Sequence, residues 1–195
     1  QWMPAAKGVV PILLAAGASC RFGTDKLLQP LPDGTPLALA ATRTLQAALG
    51  QVWAVVRSGD APVARCLSRE PGVELIVCPR AERGMGHSIG CGVRAGSDAA
   101  GWLIALADMP YVRAETVARL AARLLQGAAI VAPSYRGRRG HPVGFSRRFR
   151  APLQSLEGDK GARALLQAHR SGLELIPCED PGVVRDVDVP ADLGQ

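Results

Sequence analysis

Six short apolar runs rich in β-branched residues recur along the chain, and segments of helical character separate most of them. The runs lie at residues 9–14, 52–56, 73–77, 102–107, 129–132 and 173–176. Runs of this length are typical of buried strands, and their alternation with helices indicates a mainly parallel sheet with helices on both faces. The sequence therefore predicts a single-domain, Rossmann-like α/β fold with three α/β/α layers.

Two helices can be delimited from their end signals. Thr35-Pro36 is a good N-cap and first helical position, and Gly50 is a good stop, so we expect a helix over residues 36–49. A second is expected over residues 114–126, followed by Gly127. Residues 135–145 are basic and glycine-rich and are interpreted as a loop that binds an anionic second substrate or is simply solvated.

Length and composition narrow the class of protein. The 195 residues, 48% of them apolar, suit one domain over residues 9–195, preceded by a tail over residues 1–8 in which we expect Met3 to be the native start. No apolar run approaches the roughly 20 residues of a membrane span, and no export signal is visible. We therefore expect a cytoplasmic protein without a membrane partner.

Charge and cysteine content favour small anionic substrates in a reducing compartment. The net charge is +6, but the aromatic content is 4% and no RNA-binding signature is visible, so we expect no nucleic-acid partner. The cysteines are odd in number and scattered, without C-x-x-C spacing, at positions Cys20, Cys66, Cys78, Cys91 and Cys178. We expect reduced thiols and no zinc site.

A loop of small residues directly after the first apolar run suits a phosphate. Its backbone N–H groups can donate to an anion, and it covers Leu14, Ala15, Ala16, Gly17, Ala18 and Ser19. Arg21 and Lys26 add positive charge, and a lysine here is notable because the chain has only 3 lysines against 20 arginines. Neither a P-loop nor a G-x-G-x-x-G fingerprint fits the spacing. The loop predicts nucleotide binding, with an ordinary strand-to-helix turn as the alternative.

Carboxylates at strand ends suggest a magnesium site. Asp108 follows a buried run, where a carboxylate can hold Mg²⁺ against substrate phosphates, although a turn aspartate explains it equally well in isolation. Strand alternation places Asp186 and Asp188 on one face, where two carboxylates suit a hard cation. Mn²⁺ is an alternative metal.

The segment 84–93 resembles a glycine-rich loop leading into a short helix, whose glycines allow a base or ribose to approach the backbone. There Ser88 is free to hydrogen-bond or to cap the helix, and His87 carries no functional prediction. The segment 157–163 is either a helix entry or a loop that meets the acceptor. The roles of Arg136, Arg138 and Arg139 stay open, with a solvated face as the alternative.

Five segments together resemble the molybdenum cofactor nucleotidyltransferases, which share the nucleotide-diphospho-sugar transferase type of fold. They are residues 14–26, 106–110, 140–142, 158–163 and 186–190, in a match running from about residue 9 to residue 192. The first segment is typical of the whole nucleotidyltransferase superfamily, whereas Gly140-His141-Pro142 and the 158–163 element resemble the molybdopterin cytidylyltransferases. Ala15-Ala16-Gly17 also departs from the Ala-Gly-Gly of the guanylyltransferase branch, which favours CTP.

The resemblance implies a Mg²⁺-dependent transfer of CMP from CTP to the terminal phosphate of molybdopterin or molybdenum cofactor, with release of pyrophosphate. The implied catalytic residues are Arg21, Lys26 and Asp108. Nucleotide binding is implied for residues 14–19, Ser88 and Asp108, metal binding for Asp108 and Asp188, and acceptor binding for Gly140, His141 and Asp159. A molybdoenzyme or its chaperone is a further expected partner. The alternatives are a relative using GTP or a sugar or other phosphate, and a non-catalytic nucleotide-binding or cofactor-carrier protein.

Overall fold

The computed structural model describes residues 8–17, 25–96 and 98–188. Within these ranges eight strands form one mixed sheet. In chain order they are β1 (Val9–Leu14), β2 (Val52–Val56), β3 (Val73–Val77), β4 (Gly101–Leu106), β5 (Ile130–Tyr135), β6 (Arg138–Arg139), β7 (Val143–Ser146) and β8 (Leu173–Pro177). The six helices are α1 (Leu37–Leu49), α2 (Pro62–Leu67), α3 (Met85–Ala95), α4 (Ala114–Leu125), α5 (Arg150–Gln154) and α6 (Arg163–Ala168).

The sheet has a parallel half and a half that contains antiparallel pairs. Its strands follow the order β3-β2-β1-β4-β7-β5-β6, and β8 pairs with β5. Strands β1 to β4 pair in parallel, and so do β5 and β8. Strand β7 runs antiparallel to both β4 and β5, and thereby joins the two halves. The predicted fold class, a mainly parallel Rossmann-like sheet in one domain, is confirmed.

Helices cover both faces of the sheet because the strands are apolar on both sides. In β1, Val9 and Leu13 pack with the cluster that contains α1, α2 and α4, whereas Val10 and Ile12 pack with the cluster of α3, α5 and α6. This alternation is the period of two expected of a strand, with a core on each side. Two buried layers therefore hold the carboxyl ends of the parallel strands in place. No helix in the described ranges has both the length and the apolar character needed to cross a membrane.

Most of the predicted strand and helix bounds agree with the structure to within a few residues, but the start of α1 and the interval 135–145 differ from the prediction. Thr35 is not the N-cap of α1, because Pro36 occupies that position and makes no side-chain capping bond. The interval 135–145 is not a simple loop: it contains the strand β6 and the beginning of β7. This part was missed because antiparallel strands as short as β6 carry too few residues for a periodic pattern.

The prediction that all the cysteines are reduced is wrong for one pair, because Cys78 and Cys91 form a disulfide. Cys78 directly follows β3 and Cys91 lies in α3, so the fold brings together two residues whose spacing matches no common motif. Cys66 and Cys178 are free thiols. Cys20 lies outside the described residues.

Candidate functional site

The carboxyl ends of β1 and β4 meet at one edge of the sheet. Their parallel register continues to the pair Leu14 and Leu106, and the Ala107 N–H donates to the Leu14 carbonyl over 3.3 Å. The residues that follow each strand, Gly17 on one side and Asp108 on the other, therefore leave the sheet side by side. Ligands of open α/β sheets bind beyond this edge.

Lys26 lies between two carboxylates at this edge. It begins a 3₁₀ turn whose N-cap, Asp25, accepts a hydrogen bond from the Leu27 N–H. Its Nζ is 3.1 Å from Asp108 Oδ2 and 3.8 Å from Asp188 Oδ1. The Lys26 side chain is 13% exposed, so its charge is held inside the wall of the site rather than in bulk solvent. Three of the predicted site residues are thus brought together.

Asp188 reaches this cluster because the segment 185–188 is anchored to the loop that carries Asp108. The Val187 N–H donates to the Asp108 carbonyl over 2.8 Å, and the Val187 side chain is buried. Asp186 and Asp188 consequently lie away from the core, as their alternation predicts. Asp188 lines the larger of two cavities beside Asp108, and Asp186 lines the smaller one.

A buried aspartate that the sequence analysis did not single out supports this segment. Asp180 is 2% exposed and accepts hydrogen bonds from the N–H groups of Arg113 and Gly182 and from Thr116 Oγ1. Its carboxylate therefore ties the start of α4 to the turn Pro181–Val184. The Asp-Pro dipeptide is a turn signal, but the contact with α4 could not be predicted from it.

The larger cavity, termed here the large cavity, has a volume of about 880 Å³, within the range of small-molecule sites. Eight of the site residues predicted from the sequence line it, namely Leu14, Ala16, Gly17, Lys26, Ser88, Asp108, Asp159 and Asp188. Ala15 differs, because it packs in the core and its N–H donates to the Val55 carbonyl instead of pointing to a ligand. Ala18, Ser19 and Arg21 lie outside the described residues.

Arg57 and Glu82 also line the large cavity and were missed from sequence. Arg57 directly follows β2, and its guanidinium donates to the Ala16 carbonyl at 3.5 Å. The sequence did contain a signal for Arg57, because a charged residue directly after a predicted parallel strand is expected at the ligand edge, as it was for Asp108 after β4. Arg57 therefore adds positive charge opposite the carboxylates of the cavity.

Two glycines of the 84–93 segment are required by close packing, and one of them, Gly84, also lines the large cavity. Gly84 has a φ of +109°, and an added Cβ there would lie 2.4 Å from the Gly158 carbonyl carbon. A Cβ on Gly86 would lie 2.8 Å from the Glu157 carbonyl oxygen. The Gly86 N–H donates to the Gly158 carbonyl, and the Gly158 N–H to the Arg83 carbonyl. This close contact explains why positions 84 and 86 are glycines, and it brings Asp159 to the large cavity.

Ser88 lies inside α3 and is 5% exposed, so it is neither in a loop nor an N-cap. The helix begins at Met85 and extends to Ala95, longer than the short helix expected. Ser88 nevertheless faces the large cavity from the first turn of α3.

The second cavity, termed here the small cavity, has a volume of about 250 Å³ and shares Leu106 and Asp108 with the large one. It is lined by Met109, Arg138, Arg139, Gly140, His141, Val183, Val184 and Asp186. The three predicted acceptor residues are therefore not together, because Asp159 lines the large cavity whereas Gly140 and His141 line the small one. Asp108 stands between the two.

His141 is held neutral in the wall of the small cavity. Burial, aided by the charge of Arg139 and opposed by Asp186, lowers the pKa of His141 to about 4. Its backbone N–H donates to the Val183 carbonyl, and its buried Nδ1 has no hydrogen-bond partner within the described part of the chain. A neutral imidazole with an unused nitrogen can hydrogen-bond an incoming polar group.

Comparison with known proteins identifies the family. The profile of the MobA-like NTP transferase domain matches residues 11–173. The chain belongs to this family. It is similar to the purine catabolism protein PucB of Bacillus subtilis strain 168, with 31% identity over 93% of this chain and 92% of that protein. It is also 32% identical to the nicotine blue oxidoreductase of Paenarthrobacter nicotinovorans, over 92% of each chain.

Solved structures agree with this MobA-like NTP transferase fold. Rv0371c from Mycobacterium tuberculosis H37Rv superimposes with a TM-score of 0.80 at 28% identity, over 96% of both chains. A manganese complex of the same protein superimposes with a TM-score of 0.74 at 27% identity, again over 96% of both chains. The parallel half, which carries Lys26 and Asp108, lies largely within the part of the chain that the family profile matches.

The donor groups of the MobA-like site fit a hard divalent cation. Asp108 and Asp188 approach one ammonium group from two sides, so the carboxylates already converge on a cation. Carboxylate oxygens are the ligands that Mg²⁺ and Mn²⁺ prefer. Both side chains are partly exposed, at 28% and 50%, which leaves them accessible from the cavities.

Proposed function

We propose that this MobA-like NTP transferase moves CMP from CTP to the terminal phosphate of molybdopterin or molybdenum cofactor and releases pyrophosphate. The observation that carries the proposal is that Lys26 lies within 4 Å of both Asp108 and Asp188 in the wall of a cavity of about 880 Å³. Such a cluster of one cation and two metal-binding carboxylates is suited to the transfer of a charged group between phosphates.

The nucleotide is proposed to occupy the large cavity. Ala16 and Gly17 offer backbone at the end of β1, and Ser88 faces the same space from α3. Lys26 and Arg57, which both line the cavity, supply positive charge to the phosphates. Arg21, Ala18 and Ser19 keep their predicted contacts with the phosphates as part of the same proposal.

The transfer needs no protein base. An oxygen of the acceptor phosphate is already anionic at neutral pH, so it can bond to the α-phosphorus while the bond from that phosphorus to pyrophosphate breaks. The pyrophosphate leaves with the electron pair of that bond. The work of the protein is to align two anions that repel each other, and Lys26 lowers that repulsion.

Asp108 and Asp188 would hold Mg²⁺, or Mn²⁺, which neutralises charge on the α-phosphate and the leaving group. Support for this assignment comes from the convergence of both carboxylates on Lys26 and from the manganese complex of Rv0371c. The acceptor is proposed to bind beside Asp108 in the small cavity, where Arg138, Arg139 and His141 offer two cations and a neutral hydrogen-bonding ring.

The experiment measures pyrophosphate release with molybdopterin or its molybdenum form and each nucleoside triphosphate in turn, in Mg²⁺ and in Mn²⁺. We expect release that depends on both substrates and is fastest with CTP. Mass spectrometry should detect the cytidine dinucleotide of the pterin as product. Asp108→Asn is the matched inactive control, because the amide keeps the shape of the carboxylate without its charge.

Other outcomes separate the alternatives. Release that is fastest with GTP would overturn the CTP assignment, and release supported by a sugar phosphate but not by molybdopterin would overturn the acceptor. CTP binding without release under any condition would indicate a nucleotide-binding or carrier protein. Because one relative is named as an oxidoreductase, the product itself has to be identified. Transfer of the product to a molybdoenzyme or its chaperone, in the cytoplasm, completes the proposed role.

A further inference from the structure

A cluster of three metal-ligating residues lies behind the wall of the large cavity and has no part in the proposed transfer. Cys78, His87 and Cys91 each place one ligand atom so that all three atoms lie within 4.8 Å of one another. His87 and Cys91 are one turn apart on α3, and Cys78 comes from the end of β3. Residues four apart share a helix face, so α3 presents both side chains to the same point.

We propose that Cys78, His87 and Cys91, when the disulfide is reduced, form a binding site for a thiophilic divalent cation of the Zn²⁺ class. The disulfide and the metal site are two mutually exclusive forms of one cluster. A dithiol reductant supplies two electrons to the Cys78–Cys91 bond, is itself oxidised to a disulfide, and leaves two thiols. Binding of the cation then displaces one proton from each thiol.

The chemistry and spacing of the three groups match such a cation. Two thiolates and one imidazole are a common partial ligand set for Zn²⁺, with water or another group in the fourth position. Tetrahedral ligands at about 2.3 Å from zinc lie about 3.8 Å from each other. The ligand nitrogen of His87 is already within 4.8 Å of both sulfurs, and the two sulfurs have to move apart by less than about 2 Å once the disulfide bond, about 2.05 Å long, is reduced. Two thiolates also cancel the charge of the cation inside a largely buried cluster.

The surroundings of the cluster resemble those of a metal site. Histidines that bind metals usually hold a carboxylate or carbonyl on their other ring nitrogen, and His87 Nδ1 is 3.3 Å from Glu157 Oε1. Glu157 is itself bound by Arg83, with 3.1 Å between the charged groups. The Arg94 guanidinium is 3.6 Å from Cys91 Sγ, so a cationic donor already lies beside this sulfur. Cys78 is fully buried and the His87 side chain is 13% exposed, so the cluster is shielded from solvent.

The segment between the two cysteines of the cluster forms part of the wall of the large cavity. The interval from Cys78 to Cys91 supplies five residues of the cavity wall, namely Ala81, Glu82, Gly84, Met85 and Ser88. Both the disulfide and the proposed metal-bound form join Cys78 to Cys91, the two ends of this interval. The reduced form without metal is the only one of the three forms that leaves them unlinked.

The test uses Co²⁺ as a spectroscopic substitute for Zn²⁺, with the whole chain reduced by a dithiol and then freed of it without air. Excess Mg²⁺ occupies the carboxylate site, and only a sulfur ligand produces the thiolate-to-Co²⁺ absorption. We expect a signal that saturates at one Co²⁺ per chain, is displaced by Zn²⁺, and is absent from protein with an intact disulfide. No nucleotide is present, so the result is independent of the proposed transferase activity.

Variants assign the ligands. Cys91→Ser should abolish the signal, whereas Cys66→Ser, which removes a free thiol outside the cluster, should leave it unchanged. His87→Gln retains both cysteines and should weaken Co²⁺ binding at least tenfold, and Glu157→Gln should weaken it about 10- to 100-fold. Circular dichroism verifies that each variant is folded. The proposal is overturned if the reduced protein gives no thiolate absorption, or if His87→Gln binds Co²⁺ as tightly as the wild type.

Discussion

The two cavities beside Asp108 differ in how the chain builds them. Segments that follow parallel strands supply much of the large cavity, including Gly17, Arg57 and Asp108, each of which comes after the carboxyl end of such a strand. The small cavity depends on β6, which pairs antiparallel with β5, and on the segment that follows the turn Pro181–Val184. The large cavity therefore depends on the repeating pattern of parallel strands and helices, whereas the small cavity lies where antiparallel strands interrupt that pattern.

The two cavities also differ in the charges of the residues that line them. In the large cavity the Lys26 ammonium is paired with the carboxylates of Asp108 and Asp188. In the small cavity burial keeps His141 neutral, while Arg138 and Arg139 remain exposed. The large cavity is therefore suited to managing reacting charge, and the small cavity to recognising a substrate. Substitutions in each of the two cavities, which share Asp108, can test this difference in role.

The largest effect is expected for Asp108→Asn, because Asp108 lines both cavities and contacts Lys26. Loss of its charge should lower kcat/KM for pyrophosphate release about 10³-fold, equivalent to about 4 kcal/mol. The matched variant is Asp186→Asn, which changes an acid of the small cavity alone and should cost less than tenfold. Equal losses in the two variants would contradict the division between the cavities.

Lys26→Ala should have the next largest effect. Its ammonium lies 3.1 Å from Asp108 and 3.8 Å from Asp188, so its removal leaves two carboxylates repelling each other and the phosphates. We expect kcat to fall by about 10²- to 10³-fold while the Kd for the nucleotide changes by only a few fold. Arg43→Ala, which removes a cation from a surface pair with Glu70, serves as the control. An unchanged kcat would exclude Lys26 from the chemistry.

The same division explains what could be predicted from the sequence. The bounds of β1, β2 and β3 agree with the apolar runs that predict them. Strands β1 and β2 are buried under helices on both faces and are therefore continuous apolar runs, whereas β3 is partly exposed and contains Glu74. Lys26 and Asp108 could be placed together because the carboxyl ends of parallel strands share one edge, whereas the choice of Asp188 rests on the family resemblance. Neither inference requires knowledge of a contact between distant, irregular segments.

The remaining features depend on such contacts. The strand β7 is short and contains Gly144, which lies close to Val131 and Leu103, so its sequence does not alternate clearly. The separation of Asp159 from His141 follows from the packing of Gly158 against Gly84, a contact between two loops. The Cys78–Cys91 pair likewise requires knowing which face of α3 is turned toward β3. Local patterns contain none of this information.

His141 provides a pH test of the small cavity. Its pKa is about 4 in the folded protein, against 6.5 for an unperturbed histidine, so between these values the unfolded chain binds the proton and the folded chain does not. Stability contributed by this group is complete above pH 6.5 and is lost as the pH falls toward 4, by up to about 3 kcal/mol. Urea unfolding across this range should show a smaller loss in His141→Gln than in the wild type. Equal losses would mean that His141 is solvated in the folded protein.

The smallest effect is expected for the arginines of β6, because both are exposed and each charge is screened by solvent. Arg138→Gln combined with Arg139→Gln should raise the KM for the acceptor about three- to tenfold, with little change in kcat or in the KM for CTP. The effect should shrink as salt is added, since exposed charges are screened within about 10 Å at 0.1 M ionic strength. Arg136→Gln is the matched control, because Arg136 belongs to the same hairpin but lies over the Tyr135 ring, 5.2 Å from its centroid. A rise in the KM for CTP instead of the acceptor would reverse the roles of the two cavities, because the arginines of the small cavity would then be holding the donor.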